Sequence, residues 1–252
     1  MTPVLLAEQV SVRYGGVQAL ADVDLEVGEG QLVGLIGPNG AGKTTFIDAV
    51  TGFARARGRI ELDGRSIAGL APDVRARHGL ARTWQSAELF DELTVQENLA
   101  VATGRPGLWQ TAKELVAGRP APRRSVERAL RLLELEPLAG ARPDELTQGQ
   151  RKLVGVARAV AADARVICLD EPAAGLDTAE SEALGRRLRQ LVDAGTSLLL
   201  VDHDMGLVLG VCDHVVVLDF GRVIARGTPE EVRRDQRVVE AYLGSAAAEA
   251  AA

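Results

Sequence analysis

The chain has 252 residues, 46% of them hydrophobic and 25% charged, with a net charge of −6 and a pI near 5.3. That composition can bury a sizeable core, and its acidic balance excludes a surface built to neutralise phosphodiester backbones, so nucleic acid is not expected as a partner. No stretch approaches the roughly 20 apolar residues that span a bilayer, no signal-peptide pattern opens the chain, and two cysteines are too few for a disulfide framework or zinc site.

In chain order, β-type runs lie at residues 4–13, 30–36, 59–62, 166–169, 197–201 and 214–219. Helical periodicity occupies residues 43–50, 125–135, 150–162 and 179–192. Strands alternating with helices predict a largely parallel sheet covered on both faces. The early runs, with the turn-like pair Asp63 and Gly64, predict an additional antiparallel sheet. Residues 96–142 lack β-branched runs and read as helices broken at residues 104–107 and 118–122. They predict a helical subdomain, about residues 96–162, inserted in an α/β core that otherwise runs over residues 1–244 as one domain. The Ala-rich tail, 245–252, has no burial pattern and is expected to fray. Arg55, Arg57, Arg59, Arg123 and Arg124 read as solvated loop residues, and Cys168 and Cys212 as small core residues.

Gly37, Pro38, Asn39, Gly40, Ala41, Gly42, Lys43 and Thr44 fit the spacing of a phosphate-binding loop between a strand and a helix. The glycines let the backbone turn its N–H groups inward, the helix N-terminus adds partial positive charge, and Lys43 reaches the terminal phosphates. Thr44, followed by Thr45, offers a hydroxyl to Mg2+. The bland alternative is a Gly-rich turn that happens to contain a lysine, yet Lys43 is one of only three lysines in the chain. An apolar strand then ends in Asp170 and Glu171, where the first carboxylate can hold a magnesium shell and the second can polarise an attacking water.

Leu146, Thr147, Gln148, Gly149 and Gln150 lie shortly before that strand, and here the chain resembles the ATP-binding cassette (ABC) ATPases. The segment resembles their signature, usually Leu-Ser-Gly-Gly-Gln, with Thr147 keeping the hydroxyl, Gly149 the bare backbone and Gln148 departing from the pattern. In the same order, Gln85 resembles the glutamine that senses magnesium and the γ-phosphate, and residues 174–177 the loop that touches an opposite subunit. His203 resembles the switch histidine and Tyr14 the aromatic residue that stacks on adenine. Within this family the chain is most similar to motor subunits of branched-chain and hydrophobic amino-acid importers, on the strength of residues 12–16, 51–53, 82–85, 89–90, 93–99, 203–208 and 241–244.

The resemblance implies a P-loop NTPase core carrying the two subdomains, and an ATPase with ATP and Mg2+ as ligand and cofactor. Glu171, His203 and Gln85 are the implied catalytic residues, and Thr44, Gln85 and Asp170 the implied metal ligands. Tyr14, residues 37–45, Thr147, Gly149 and Gln150 are expected on the nucleotide. The implied partners are a second ABC ATPase subunit, integral membrane permease subunits docking near residues 85–93, and an extracytoplasmic solute-binding protein, with this chain on the cytoplasmic face of the membrane. A soluble ABC ATPase of cluster assembly stays open as an alternative.

Overall fold

A computed structural model describes residues 3–84, 88–103 and 124–249. The chain divides into two compact units, one of residues 1–85 with 165–252 and the other of residues 86–164. This second unit opens ten residues before the expected start at 96 and closes two after 162.

The first unit holds two sheets. Leu5–Tyr14 (β1), Val17–Val27 (β2), Arg57–Leu62 (β4) and Arg65–Ser66 (β5) form an antiparallel sheet in the order β2-β1-β4-β5. Its β4-β5 hairpin turns at Asp63 and Gly64, with φ of 49° and 71°, the left-handed pair that a tight two-residue hairpin needs. Arg57 and Arg59 therefore lie on a strand rather than in a loop, and exposed Arg59 pairs with Glu8 and Glu61 at 2.9 Å each.

The second sheet contains Leu32–Ile36 (β3), Leu80–Thr83 (β6), Val166–Asp170 (β7), Ser197–Val201 (β8), His214–Asp219 (β9) and Arg222–Gly227 (β10). Its order is β10-β9-β3-β8-β7-β6, parallel except for the edge pair β9-β10. Strands β3, β7 and β8 are buried at every residue, as a sheet covered on both faces requires. Helix α1 (Lys43–Thr51) follows β3 and buries Phe46, Ile47, Ala49 and Val50 in an apolar cluster shared with both sheets. Cys168 and Cys212 are free and buried, and burial pushes the Cys168 thiol up to about 12.

Pro72–Arg77 (α2) precedes β6, and Thr178–Asp193 (α6), Met205–Val211 (α7), Pro229–Arg234 (α8) and Gln236–Glu249 (α9) complete the first unit. Helix α9 continues to Glu249 through part of the tail expected to fray, because alanine is a strong helix former even where nothing dictates a buried face.

In the second unit, Val95–Ala102 (α3), Arg124–Leu132 (α4) and Gln148–Ala161 (α5) pack on one another. Val95, Leu99, Val126, Ala129, Leu130 and Val154 are buried there. Helical character is as the sequence implies, while the breaks expected at 104–107 and 118–122 lie outside the described residues.

Phe46 is fully buried in the first unit's cluster. Phe46→Ala is expected to cost about 3 to 5 kcal/mol of stability, read as a lowered urea midpoint at unchanged slope.

Candidate active site

Strands β3, β8 and β7 are neighbours and run in the same direction, so the residues after Ile36, Val201 and Leu169 emerge at one carboxyl edge of the sheet. Such an edge is where open α/β sheets hold their ligands.

The loop after β3 is shaped by left-handed glycines, with φ of 152° at Gly37, 79° at Gly40 and 104° at Gly42. Space forbids a side chain at Gly37, where a Cβ would stand 2.1 Å from the carbonyl oxygen of Leu218 on β9. The next hairpin grips the loop as well, since the Gly221 N–H donates to Ala41 O at 2.9 Å. Gly42 caps α1, Pro38 and Ala41 are buried, and Asn39, Gly40 and Thr44 are exposed, with Thr45 between. This curled backbone ahead of a helix N-terminus fits a chain of phosphates.

Lys43 fills the loop from inside. Its buried Nζ donates to Gly37 O at 2.7 Å and to Pro38 O at 3.0 Å. Burial holds its pKa below the usual lysine value, and the charges of Glu171, Asp202 and Asp170 oppose that shift. Phosphate oxygens would offer this ammonium stronger acceptors than carbonyls do.

Asp170 ends β7 with its side chain 9% exposed, and Arg82 Nη2 donates to its Oδ2 at 2.7 Å. Glu171 follows with φ 47°, in the left-handed region that a residue bearing a Cβ enters only when its surroundings impose it. Its N–H donates to Val201 O at 2.7 Å, pinning the turn to β8. His203 is exposed just beyond β8, with Nδ1 3.8 Å from Glu171 Oε2 and 3.6 Å from Asp202 Oδ1. Those separations are contacts rather than hydrogen bonds. The structure thus brings residues 37–45, Asp170, Glu171 and His203 together. Tyr14 ends β1 with 53% of its surface exposed, as a platform for a planar ring requires.

Two further residues belong to this edge. Asp202 is fully buried and accepts three backbone N–H groups, from Ala173 at 3.0 Å, His203 at 2.8 Å and Asp204 at 3.0 Å. One carboxylate therefore ties the turn after Glu171 to the turn carrying His203. Arg82 is the second. The signal for Asp202 was its place between a wholly apolar strand and His203, where a charged side chain is buried only if it is held.

No group of three or more His, Cys, Asp or Glu side chains able to hold a metal occurs among the described residues. Mg2+ is commonly bound through one or two carboxylates with the remaining ligands from phosphates and water. Asp170 and Thr44 fit that donor set. Gln85 lies outside the described residues.

The second unit carries the Thr147 segment at the N-terminus of α5. Thr147 Oγ1 accepts the Gln150 N–H at 3.2 Å, and Gln150 Oε1 accepts the Thr147 N–H at 2.9 Å. This reciprocal cap leaves the Thr147 hydroxyl hydrogen to donate elsewhere, while Gln150 is turned back on the helix. In the same unit Asn98, fully buried, accepts the Phe90 N–H at 2.9 Å and donates to Phe90 O at 3.1 Å, fixing the segment before α3.

A strand, a glycine loop holding a lysine, a helix and an acid pair on a nearby parallel strand define a nucleotide-binding α/β ATPase cassette. The family model described as ABC transporter matches residues 20–174, and one described as branched-chain amino acid ATP-binding cassette transporter matches residues 222–248. The chain belongs to the ABC transporter family.

It is 40% identical to the high-affinity branched-chain amino acid transport ATP-binding protein BraF of Pseudomonas aeruginosa, over 97% of this chain and 99% of that protein. To the corresponding protein LivG of Salmonella typhimurium it is 39% identical, again over 97% and 99%. A crystal structure of the ADP conformation of an ATP-binding cassette of an ABC transporter superposes with a TM-score of 0.82 at 31% identity, covering 97% of this chain and 100% of that one. The protein is the nucleotide-binding, ATP-hydrolysing subunit of an ABC transporter. Among the described residues no helix is long and apolar enough to cross a membrane.

Asp202→Ala strands three backbone N–H groups and is expected to cost at least about 2 kcal/mol. Asp202→Asn, which keeps an accepting oxygen, should cost less. Urea unfolding of both variants decides, and equal stability of Ala and wild type refutes the tie.

Proposed function

We propose that this chain powers the uptake of branched-chain or other hydrophobic amino acids, or related small solutes, from the cytoplasmic face of the membrane. The observation that carries the reading is the end-to-end similarity to BraF, joined to the match of residues 222–248 with a family model of branched-chain amino acid cassettes. Its partners are integral membrane permease subunits that dock near residues 85–93, a second motor subunit of the same or a related chain, and an extracytoplasmic solute-binding protein.

In this reading the N–H groups of residues 37–45 and the Lys43 ammonium hold the β- and γ-phosphates, and Tyr14 stacks on the adenine. Thr44, Asp170 and Gln85 hold Mg2+, which when bound supplies positive charge against the phosphate oxygens. Glu171 takes a proton from the water that attacks the γ-phosphorus as the bond to the ADP oxygen breaks. His203 donates a hydrogen bond to the γ-phosphate. Thr147, Gly149 and Gln150 of the second subunit meet the same phosphate, so that ATP favours a closed pair and hydrolysis removes the preference. The burial of Lys43 beside Asp170, Glu171 and Asp202 supports this assignment, because a desolvated cation gains from a polyanion what it lacks in water.

Co-expressed with its permease and solute-binding partners and reconstituted in vesicles, the complex is expected to hydrolyse ATP severalfold faster with leucine, isoleucine or valine in the binding-protein compartment. Recovery of the chain with soluble partners alone would overturn the transport assignment, and stimulation by unrelated solutes only would overturn the substrate class.

Glu171→Gln should keep ATP binding and lower turnover by about a hundredfold, the scale of a lost general base, trapping a closed pair. Adding Gly149→Glu should release that pair, since it drives a carboxylate toward the γ-phosphate. Sizing chromatography with ATP and Mg2+ separates the cases, and a pair indifferent to the second substitution refutes the trans contact.

A further inference from the structure

The Arg82 side chain is only 5% exposed, and two other elements of the first unit meet it. On β6 it stands opposite Cys168 in the parallel register with β7. Its fork divides between two carboxylates, Nη1 at 2.5 Å from Asp48 Oδ1 on α1 and Nη2 at 2.7 Å from Asp170 Oδ2 at the end of β7. The guanidinium carbon lies 4.1 Å from the ring centroid of Trp84 and 5.7 Å from that of Phe53. Those two rings meet edge to face at 5.0 Å. A single cation thus touches the helix that follows the phosphate loop, the carboxylate at the metal position, and an aromatic residue one position before Gln85.

A guanidinium suits this place for reasons an ammonium does not share. It stays charged when buried, presents several donors in one plane, and stacks that plane on an aromatic face. Standing between Asp48 and Asp170, it meets one carboxylate with each arm of its fork. With Oδ2 committed to Arg82, the orientation of the Asp170 carboxylate is fixed and its other oxygen is offered to a cation.

We propose that Arg82 is a positioning residue for magnesium: it holds Asp170 in metal-binding orientation and links occupancy there to Trp84. The inference rests on Asp170 being a magnesium ligand. A plain structural brace makes a different forecast, since it would weaken ATP binding to the same degree with and without metal.

The test uses the full chain carrying Trp109→Phe, which leaves Trp84 as its one tryptophan. A non-hydrolysable ATP analogue is titrated calorimetrically with EDTA and with Mg2+, and Trp84 emission is followed in parallel. Arg82→Gln is expected to hold metal-free affinity within about twofold, to cut the factor by which Mg2+ tightens binding by about fivefold or more, and to abolish the magnesium-dependent emission change.

Arg82→Lys, which keeps the charge but not the fork or the stacking plane, should recover only part of the magnesium factor, and it gives the same reading should the Gln variant not fold. Asp170→Asn, run alongside, separates the two assignments. If it loses the magnesium factor while a folded Arg82→Gln keeps it, the role of Arg82 is overturned and Asp170 stands. If Asp170→Asn leaves the factor unchanged, the metal assignment falls and this inference with it. Equal losses in EDTA and Mg2+ reduce Arg82 to a brace, and a parent protein whose Trp84 emission ignores Mg2+ overturns the link to that residue.

Discussion

A buried ammonium has to be satisfied, and much of this molecule's first unit is arranged around that of Lys43. Two loop carbonyls accept from it, while Asp170, Glu171 and Asp202 surround it with negative charge. None of these neighbours is close in sequence to all the others. They meet because β3, β8 and β7 are parallel and adjacent, so that three separate turns open at the same edge. The two sheets and α1 supply the apolar cluster that keeps those strands in register, which makes the chemistry of the edge a consequence of packing some distance behind it.

The acids at this edge divide their work by environment. Asp202, wholly buried, is held by three backbone donors and stabilises two turns at once. Asp170 is balanced by an arginine. Glu171 and His203 are less enclosed and approach each other at 3.8 Å. Two of the residues compared with the family's signature, Thr147 and Gln150, cap each other at a helix start in a separate unit, so the atoms proposed to meet a phosphate already serve local helix chemistry.

Much of this was legible in the chain. The phosphate loop could be read because glycine spacing reports backbone that other residues avoid, and the acid pair because it ends an apolar run. Strands β3, β8 and β9 were located closely for a like reason, as wholly or mainly apolar runs. Four-residue β6, a leucine and an alanine followed by an arginine and a threonine, and edge strand β10, with an arginine at two of six positions, carry too little pattern to announce themselves. Helices α7 and α8 span only two turns or fewer, below the length at which periodicity speaks. Asp202 and Arg82 escaped for another reason. The carboxylates that meet Arg82 and the Ala173 N–H that Asp202 ties to its own turn are distant along the chain, and a charged residue in a sequence reads as solvent-facing until something is found to hold it.

The backbone of Glu171 carries a consequence for how such a site ages. A left-handed conformation costs an ordinary residue about 1 to 2 kcal/mol, and glycine far less. Replacement of this glutamate by glycine would therefore relax the fold while deleting the carboxylate. With Glu171 as the general base proposed above, selection for stability and selection for turnover pull in opposite directions at this one position. A copy of the gene released from the need to hydrolyse would drift downhill, becoming a sturdier protein as its ATP site fell silent.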